Sequence, residues 1–429
     1  MKISVITLGC PKNVVDSEYL SARLVDNQVQ FVNSADQADV VIINTCAFIL
    51  PARDEAIETI LAAVQLKSQG KIKRIYVTGC LPQRYIDELQ KEIPEVDGFF
   101  DEYDFTEIGK KLSHQLKLSS QNDSLRRLVQ TPNHYAYLKI AEGCDNQCRY
   151  CTIPEIKGEY RDRPMEDLLN EANELSNKGV RELIVVAQDT TYYGWKRGRK
   201  KLLCELIDSL AKIEPVKWIR ILYGHPAHVN DCIFQLFKEQ EKLCRYIDLP
   251  IQHVSDKILK SMGRSISGKE IRKLIDRIRK TIPDIAIRTT LIVGYPGEDS
   301  EDFELLKNFV TDTEFERLGV FKYSPEEGTE AANMSQQVEE AIKAERYEEI
   351  MEIQSEIARD KNRQLLGHTI PVIIDDRDEN NSAFIGRTQW DSPLIDNIVH
   401  VAGNLNIGQI YPVTIVHADE YDLRGQVSH

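Results

Sequence analysis

The chain has 429 residues, 42% hydrophobic and 28% charged, with a formal net charge of −14 and a pI near 5.3. These values suit a globular chain of roughly two to four domains, and they favour a basic protein partner over nucleic acid, because phosphate binding draws on Lys and Arg. No run nears the roughly 18 apolar residues of a membrane span, no charged leader with a cleavage site opens the chain, and nine cysteines, an odd count, suit reduced cytoplasmic thiols better than a disulfide framework.

The first ~100 residues repeat one pattern with a period of about 35 residues. An apolar run of β character is followed by a short turn with a cysteine and then a helix. The first copy is Ile3–Thr7 with Cys10 and a helix near Val14–Asp26. The second is Val40–Asn44 with Cys46 and a helix near Arg53–Ser68. The third is Arg74–Thr78 with Cys80 and a helix near Gln83–Lys91. Alternating strands and helices imply right-handed βαβ units on a parallel sheet. All strand-to-helix turns of such a sheet share one edge, where ligands bind. One such cysteine alone is more often a small buried hydrophobe. Three in equivalent turns favour a cluster held by Cys10, Cys46 and Cys80, with one iron left open.

Residues 110–134 are polar, with Ser119, Ser120, Gln121, Asn122, Asp123 and Ser124 in a row, and read as a linker or irregular crossing segment. The alternation then resumes with longer spacing. Candidate strands are Tyr135–Ala141, Glu182–Ala187, Trp218–Tyr223, Tyr246–Leu249, Ile285–Val293 and Leu318–Lys322. Helical stretches between them include Glu166–Asn177, Leu202–Ile213, Lys269–Lys280 and Ser300–Thr311. Six βα units predict a partial (β/α)6 barrel with its site at the strand C-terminal ends.

Directly after the first of these strands comes Cys144-Asp145-Asn146-Gln147-Cys148-Arg149-Tyr150-Cys151, a C-x₃-C-x₂-C loop. A structural zinc takes four protein ligands, and no fourth Cys or His lies close downstream. Thiolates are the ligands of [4Fe–4S] clusters. Three of them leave one iron free for an external ligand.

Gln337–Leu366 reads as a long charged helix. Beyond it, Ile370–Ile374, Ser382–Thr388, Ile398–Val401, Tyr411–His417 and Leu423–Val427 are short strand candidates separated by Asp, Asn and Gly turns. They predict a small antiparallel β barrel of the oligonucleotide-binding type. From Leu366 onward nine acidic residues (Asp375, Asp376, Asp378, Glu379, Asp391, Asp396, Asp419, Glu420, Asp422) face three arginines and no lysine, a net −6. Barrels that bind nucleic acid usually present a basic groove, so this one is expected to attract a basic protein.

Three N-terminal cysteines, then C-x₃-C-x₂-C, then a small terminal β domain: over nearly its full length the chain resembles the methylthiotransferase family of radical S-adenosylmethionine (SAM) enzymes. Within it, the RimO type matches at Leu8-Gly9-Cys10-Pro11-Lys12-Asn13 with Asp16-Ser17-Glu18, at Ile140–Asp145, and at Tyr323-Ser324-Pro325-Glu326-Glu327-Gly328-Thr329. Lys157 and Asp162 depart from that pattern, where Arg and Ser are usual.

The resemblance implies three domains: a methylthiotransferase N-terminal domain over 1–120, a radical SAM core over 130–365 and a TRAM domain over 366–429. It implies two [4Fe–4S] clusters on the two cysteine trios, with SAM on the open iron of the second. One SAM would methylate sulfur held on the auxiliary cluster. A second would supply a radical that removes hydrogen from the β-carbon of an aspartate on small-subunit ribosomal protein twelve, which then takes the methylthio group. A reducing electron donor is needed, and no side chain is assigned as acid or base. The competing readings are a tRNA methylthiotransferase of the MiaB type and a non-catalytic iron–sulfur or zinc protein.

Weaker candidates for SAM contacts fall near predicted strands: Gln188, Gln252, Arg288, Gly294 and Gly297. Arg288 is weighed as a partner of the SAM carboxylate and the glycines as points of close backbone approach. Cys204, Cys232 and Cys244 read as buried inert thiols, and His225 and His253 as satisfied polar residues.

Overall fold

Val40–Thr45 is buried at all six positions and forms the middle strand of the first sheet. Its Val-Val-Ile-Ile start favours β structure, and burial on both faces marks a strand with helices on each side. The computed structural model describes residues 1–118, 126–378 and 383–428. The polar run Ser119–Ser124, Glu379 and Ser382 lie outside the described residues. The chain divides into two compact units, the first comprising Met1–Thr131, Glu142–Asn146 and Cys151–Arg161, and the second Pro132–Ala141, Gln147–Tyr150 and Asp162–His429.

In the first unit, strands β1 (Lys2–Thr7), β2 (Gln30–Phe31), β3 (Val40–Thr45), β4 (Arg74–Gly79) and β5 (Gly98–Phe99) form a parallel sheet in the order β2-β1-β3-β4-β5. Helices α1 (Pro11–Ala22) and α4 (Phe105–Gln115) cover one face, where Leu20, Phe105, Ile108 and Leu112 join Val40 and Ile42. Helices α2 (Leu50–Ser68) and α3 (Cys80–Glu92) cover the other, where Ala56, Ile60 and Leu89 join Val41 and Ile43. Each large aliphatic side chain buried this way contributes roughly 1.5–3 kcal/mol. Helix α4 corrects part of the linker expected over 110–134. Phe105, Ile108 and Leu112 share one helical face, and Asp104 caps the helix by accepting from the Thr106 and Glu107 N–H groups at 2.9 and 3.3 Å.

In the second unit, strands β6 (Tyr135–Lys139), β7 (Glu182–Val186) and β8 (Trp218–Ile221) run parallel in the order β8-β7-β6. Strands β9 (Tyr246–Asp248), β10 (Ala286–Val293) and β11 (Arg317–Lys322) run parallel in the order β9-β10-β11. A parallel bridge between Ile219 and Leu243 connects the two sheets, giving the expected partial barrel. A long helix, Glu340–Arg363, lies against it through a stripe of polar anchors. Lys343 donates to Tyr323 O at 3.0 Å, Arg346 to Glu298 Oε1 at 2.7 Å and Gln354 to Phe315 O at 2.9 Å.

The terminal residues form a closed five-stranded barrel of β12 (Thr369–Asp378), β13 (Ala383–Thr388), β14 (Val399–Ala402), β15 (Ile410–Ala418) and β16 (Leu423–Val427). Val372, Ile374, Val399, Val401, Val413 and Ile415 fill it. One pairing, β14 with β16, is parallel; the others are antiparallel.

The barrel docks on the N-terminal ends of the core strands through buried ion pairs. Arg387 donates to Glu182 at 2.8 Å, and Glu182 also accepts from Arg220 at 2.8 Å. Arg317 reaches Asp391 at 2.8 Å, and Asp396 accepts from Tyr246 Oη at 2.8 Å. Asp375 accepts from Arg387 at 2.5 Å and lies 2.7 Å from His134 Nε2. Three of the nine acids expected to form an outward-facing acidic surface are therefore turned inward against arginines of this unit.

A second correction concerns the thiols. Cys204, in helix Leu202–Ala211, and Cys232, in helix Asp231–Glu239, are joined in a disulfide with a Cα–Cα distance of 6.3 Å. Neighbouring helices bring together cysteines 28 residues apart, a proximity that spacing does not reveal. Cys244 is a buried free thiol, pushed up to about 12 by burial. Among the described residues no helix is long and apolar enough to cross a membrane.

Candidate functional site

Register alone brings the first three cysteine turns together. Thr45 of β3 pairs with Gly79 of β4, so Cys46 and Cys80 follow side by side, and Thr7 of β1 pairs with Asn44 just before them. Polar side chains tie the turns to one another. Asn13 donates to Leu8 O at 2.8 Å and to Thr45 O at 3.1 Å. Asn44 donates to Asn13 O at 2.9 Å. The Thr45 hydroxyl donates to Thr78 O at 2.7 Å and accepts from the Leu81 N–H at 3.2 Å. Two glycines permit the closeness. At Gly9, with φ +89°, a Cβ would lie 2.7 Å from Cys46 Cβ; at Gly79, with φ +96°, it would lie 2.4 Å from Thr45 O.

Cys46 and Cys80 are buried and Cys10 is half-buried; all three are free thiols. Burial raises Cys46, and nearby Cys10 raises it further. Burial pushes Cys80 up to about 12, with Lys157 opposing and the other two thiols adding to it. Two buried thiols that resist ionisation, Cys46 and Cys80, beside Cys10 fit a cationic metal centre, which makes adjacent thiolates tolerable. Among the described residues, the groups whose ligand atoms lie within 4.8 Å of one another do not include Cys10, Cys46 and Cys80. One zinc with ~2.3 Å bonds would need its sulfurs that close. A four-iron cluster spreads three thiolates over three irons and does not.

Sequence reasoning passed over Lys157 as a mere departure from a pattern. Its ammonium is buried in the first unit, 3.6 Å from Asp16 and over the Phe105 ring at 5.4 Å. Burial works against its charge, but Glu142, Cys80, Asp16 and Cys10 hold it above the ordinary lysine range. It places a fixed positive charge near the thiols.

The C-x₃-C-x₂-C loop is divided between the units. On the first-unit side, the Cys144 N–H donates to Gly158 O at 3.1 Å, and Asp145 accepts from the Tyr160 N–H at 2.8 Å. On the second-unit side, the Arg149 N–H donates to Met262 O at 3.0 Å and the Ala331 N–H to Arg149 O at 3.0 Å. Tyr150 meets Tyr295 edge to face at 6.4 Å. Arg264, also missed in the sequence, lies against Cys148 Sγ at 4.0 Å and donates to Pro250 O at 2.6 Å. Its Nε is buried without a hydrogen-bond partner among the described residues, as is Gln252 Oε1.

Of the remaining candidates, Gln188 follows β7 and Gln252 follows β9, both at the C-terminal edge, and Gln252 takes φ +71°. Arg288 lies elsewhere. It is the third residue of β10, and its guanidinium is matched by Asp248 at 3.0 Å and Asp396 at 3.3 Å, so it belongs to the barrel seam. Gly294 and Gly297 are explained by packing. A Cβ at Gly294 would lie 2.3 Å from Lys343 Cγ, and one at Gly297 3.0 Å from Gln336 Oε1. His253 accepts from the Ser255 N–H at 3.0 Å.

The chain matches three family models: the uncharacterized protein family UPF0004 over residues 2–101, the radical SAM superfamily over residues 138–310 and the TRAM domain over residues 366–427. It is 44% identical to a protein of Citrifermentans bemidjiense named ribosomal protein uS12 methylthiotransferase RimO, over 99% of this chain and 98% of that one. A protein of the same name from Lachnoclostridium phytofermentans is 45% identical over 99% of both chains. Among solved structures, the radical S-adenosylmethionine methyltransferase TsrM of Kitasatospora setae shares the fold, with a TM-score of 0.53 at 12% identity over 76% of each chain.

Proposed function

Because this chain belongs to the RimO family of radical SAM methylthiotransferases, we propose that it places a methylthio group on the β-carbon of an aspartate of ribosomal protein uS12. As a member of that family it is an enzyme that uses SAM and [4Fe–4S] clusters. The observation that supports the finer reading best is a double one: two independent cysteine trios in a chain that is alike over its whole length to proteins named for uS12.

We assign Cys10, Cys46 and Cys80 to the auxiliary cluster, and Cys144, Cys148 and Cys151 to the cluster that carries SAM. When bound, these groups supply the electron, the hydrogen-abstracting radical and the sulfur that carries the methyl group. The chain's own residues prepare the ground. Asn13, Asn44 and Thr45 hold three turns in one arrangement. Lys157 and Arg264 each set a buried positive charge near thiolates. Burial of Cys46 and Cys80 keeps water from sulfur.

Docking of uS12 would draw on the acids of the barrel that still face outward, such as Asp376. A ribosomal protein substrate and the need for a low-potential reductant fit a cytoplasmic setting.

The test is mass spectrometry of uS12 after incubation with anaerobically reconstituted enzyme, SAM and reductant. A methylthio mass on one aspartate is expected. A methylthio mass on tRNA with uS12 untouched would replace this reading by the tRNA-modifying one.

A further inference from the structure

Asp189, His225 and His228 follow strands β7 and β8 at the C-terminal edge of the core, with one ligand atom from each within 4.8 Å of the others. Their hydrogen bonds define what each can offer. Asp189 Oδ1 accepts from the Thr191 hydroxyl at 2.7 Å and from the Tyr192 N–H at 3.2 Å. Asp189 Oδ2 lies 2.6 Å from His228 Nδ1. That separation is a hydrogen bond; two ligands of one ion with bonds of ~2.0–2.1 Å would stand about 3 Å apart or more. The imidazole therefore gives its Nδ1–H to Asp189.

His225 Nδ1 accepts from the Ala227 N–H at 3.2 Å. Burial, then Arg264, push His225 down to about 3, so the ring is neutral and carries its proton on Nε2. These hydrogen bonds engage Nδ1 of both rings and not Nε2. The His228 ring is fixed by Tyr192 at 4.9 Å, Trp195 at 4.8 Å and His225 at 4.8 Å, with 12% of its side chain still exposed. Arg264, which touches Cys148, adds positive charge felt by both Asp189 and His225.

A neutral imidazole N–H, an imidazolium that gives one N–H to a buried carboxylate and keeps the other, and a nearby guanidinium make a site for an anion. We propose that His228, protonated on both nitrogens and held by Asp189 at Nδ1, donates its Nε2–H to the carboxylate of the substrate aspartate, with His225 Nε2–H as a second donor. The proposal rests on the reading that uS12 is modified at an aspartate. Holding that carboxylate fixes the neighbouring β-carbon at the edge where the Cys148 loop lies. His228 and His225 touch substrate; Asp189 is a positioning residue.

The test is a binding titration of the reconstituted holoenzyme with uS12 and with uS12 whose substrate aspartate is replaced by asparagine. Wild type is expected to prefer the aspartate form by about tenfold or more, the size of one charge-assisted hydrogen bond. His228→Phe keeps a ring between Tyr192 and Trp195 and is expected to lose the preference. Asp189→Asn is expected to reduce it several-fold at full iron content, a change that a merely structural role would not produce. If His228→Phe fails to load iron, Asp189→Asn decides. Equal binding of both forms by wild type, or full preference in the iron-loaded variants, overturns the inference and leaves uS12 as substrate. A wild type that binds neither form overturns the reading beneath it. Zinc bound one per chain in protein lacking the six cluster cysteines, and lost in His228→Phe, would make this a metal site instead.

Discussion

Asn13 donates through its side chain to the carbonyl of Thr45 at 3.1 Å, so the turn that carries Cys10 is fixed to the residue before Cys46. Both residues are buried. Asn13→Leu removes two donors and leaves the Leu8 and Thr45 carbonyls unmatched, a cost of about 1–3 kcal/mol each where water cannot replace the bond. A lower thermal midpoint is expected, together with reduced iron in a background lacking Cys144, Cys148 and Cys151. Full iron at an unchanged midpoint would show that the asparagine is dispensable.

Two separate clusters make a stoichiometric claim. Replacing Cys144, Cys148 and Cys151 by Ala should leave about half of the iron and abolish SAM cleavage. Replacing Cys10, Cys46 and Cys80 should remove the other half and stop sulfur insertion. Iron and sulfide analysis after anaerobic reconstitution measures both, and an unchanged content in either triple variant rejects that trio as ligands.

Gly79 tests the geometry of the third turn. Its φ of +96° and ψ of −158° suit glycine alone, and a Cβ would press on Asn44 Oδ1 and Thr45 O at 2.4 Å. Gly79→Ala combines roughly 1–3 kcal/mol of backbone strain with that collision. Chemical denaturation should show a destabilised protein, with auxiliary iron lost before the other half. An Ala variant as stable as wild type would contradict the turn described here.

The seam between core and barrel carries a pH signature. Burial would raise Glu182, but Arg387 and Arg220 hold it below its ordinary value of 4.5. A carboxylate lowered on folding adds stability above its unfolded pKa, and that stability is lost as pH falls through the lower folded value. Glu182→Gln leaves two buried arginines short of charge and should cost about 3–5 kcal/mol at neutral pH. The gap from wild type should narrow only below about pH 4. Urea midpoints at pH 7 and in that acid range measure it; a gap independent of pH would remove the ion pairs from the account.

Adjacent acids on β12 should behave oppositely. Asp375 is held between Arg387 and His134, whereas Asp376 is exposed. Asp375→Lys buries like charges and should unseat the barrel, seen as a new protease-sensitive site near residue 365. Asp376→Lys should leave proteolysis unchanged and weaken uS12 binding in low salt. Equal proteolysis of the two variants would mean that the seam does not depend on Asp375.

Local pattern made much of this fold legible. Strand starts such as Val40, Arg74 and Glu182 are readable from β-branched runs, and the six cysteines from their places after those runs. What escaped is what depends on distant partners. Lys157 has meaning only beside Cys80, Arg264 only beside Cys148, and Arg288 only opposite Asp396, 108 residues away. Net charge is incomplete for the same reason. Counting acids in the barrel says nothing of which way Asp375, Asp391 and Asp396 face. Helix α4 was hidden because polar residues surround its three apolar positions, Phe105, Ile108 and Leu112.

The barrel reads as a separate module in sequence, yet its arginine and aspartates complete the charge balance inside the core. A shortened chain ending near residue 365 would leave Arg317 and Arg220 facing a vacated surface, and Glu182 with half of its counter-charge. Exchange of this module between relatives is therefore constrained. A transplanted barrel would need acids where Asp391 and Asp396 stand and a cation where Arg387 stands, whatever its outer surface had evolved to recognise. Two neighbouring faces of one small domain are thus free to diverge at different rates: the docked one slowly, the solvent-facing one with its substrate.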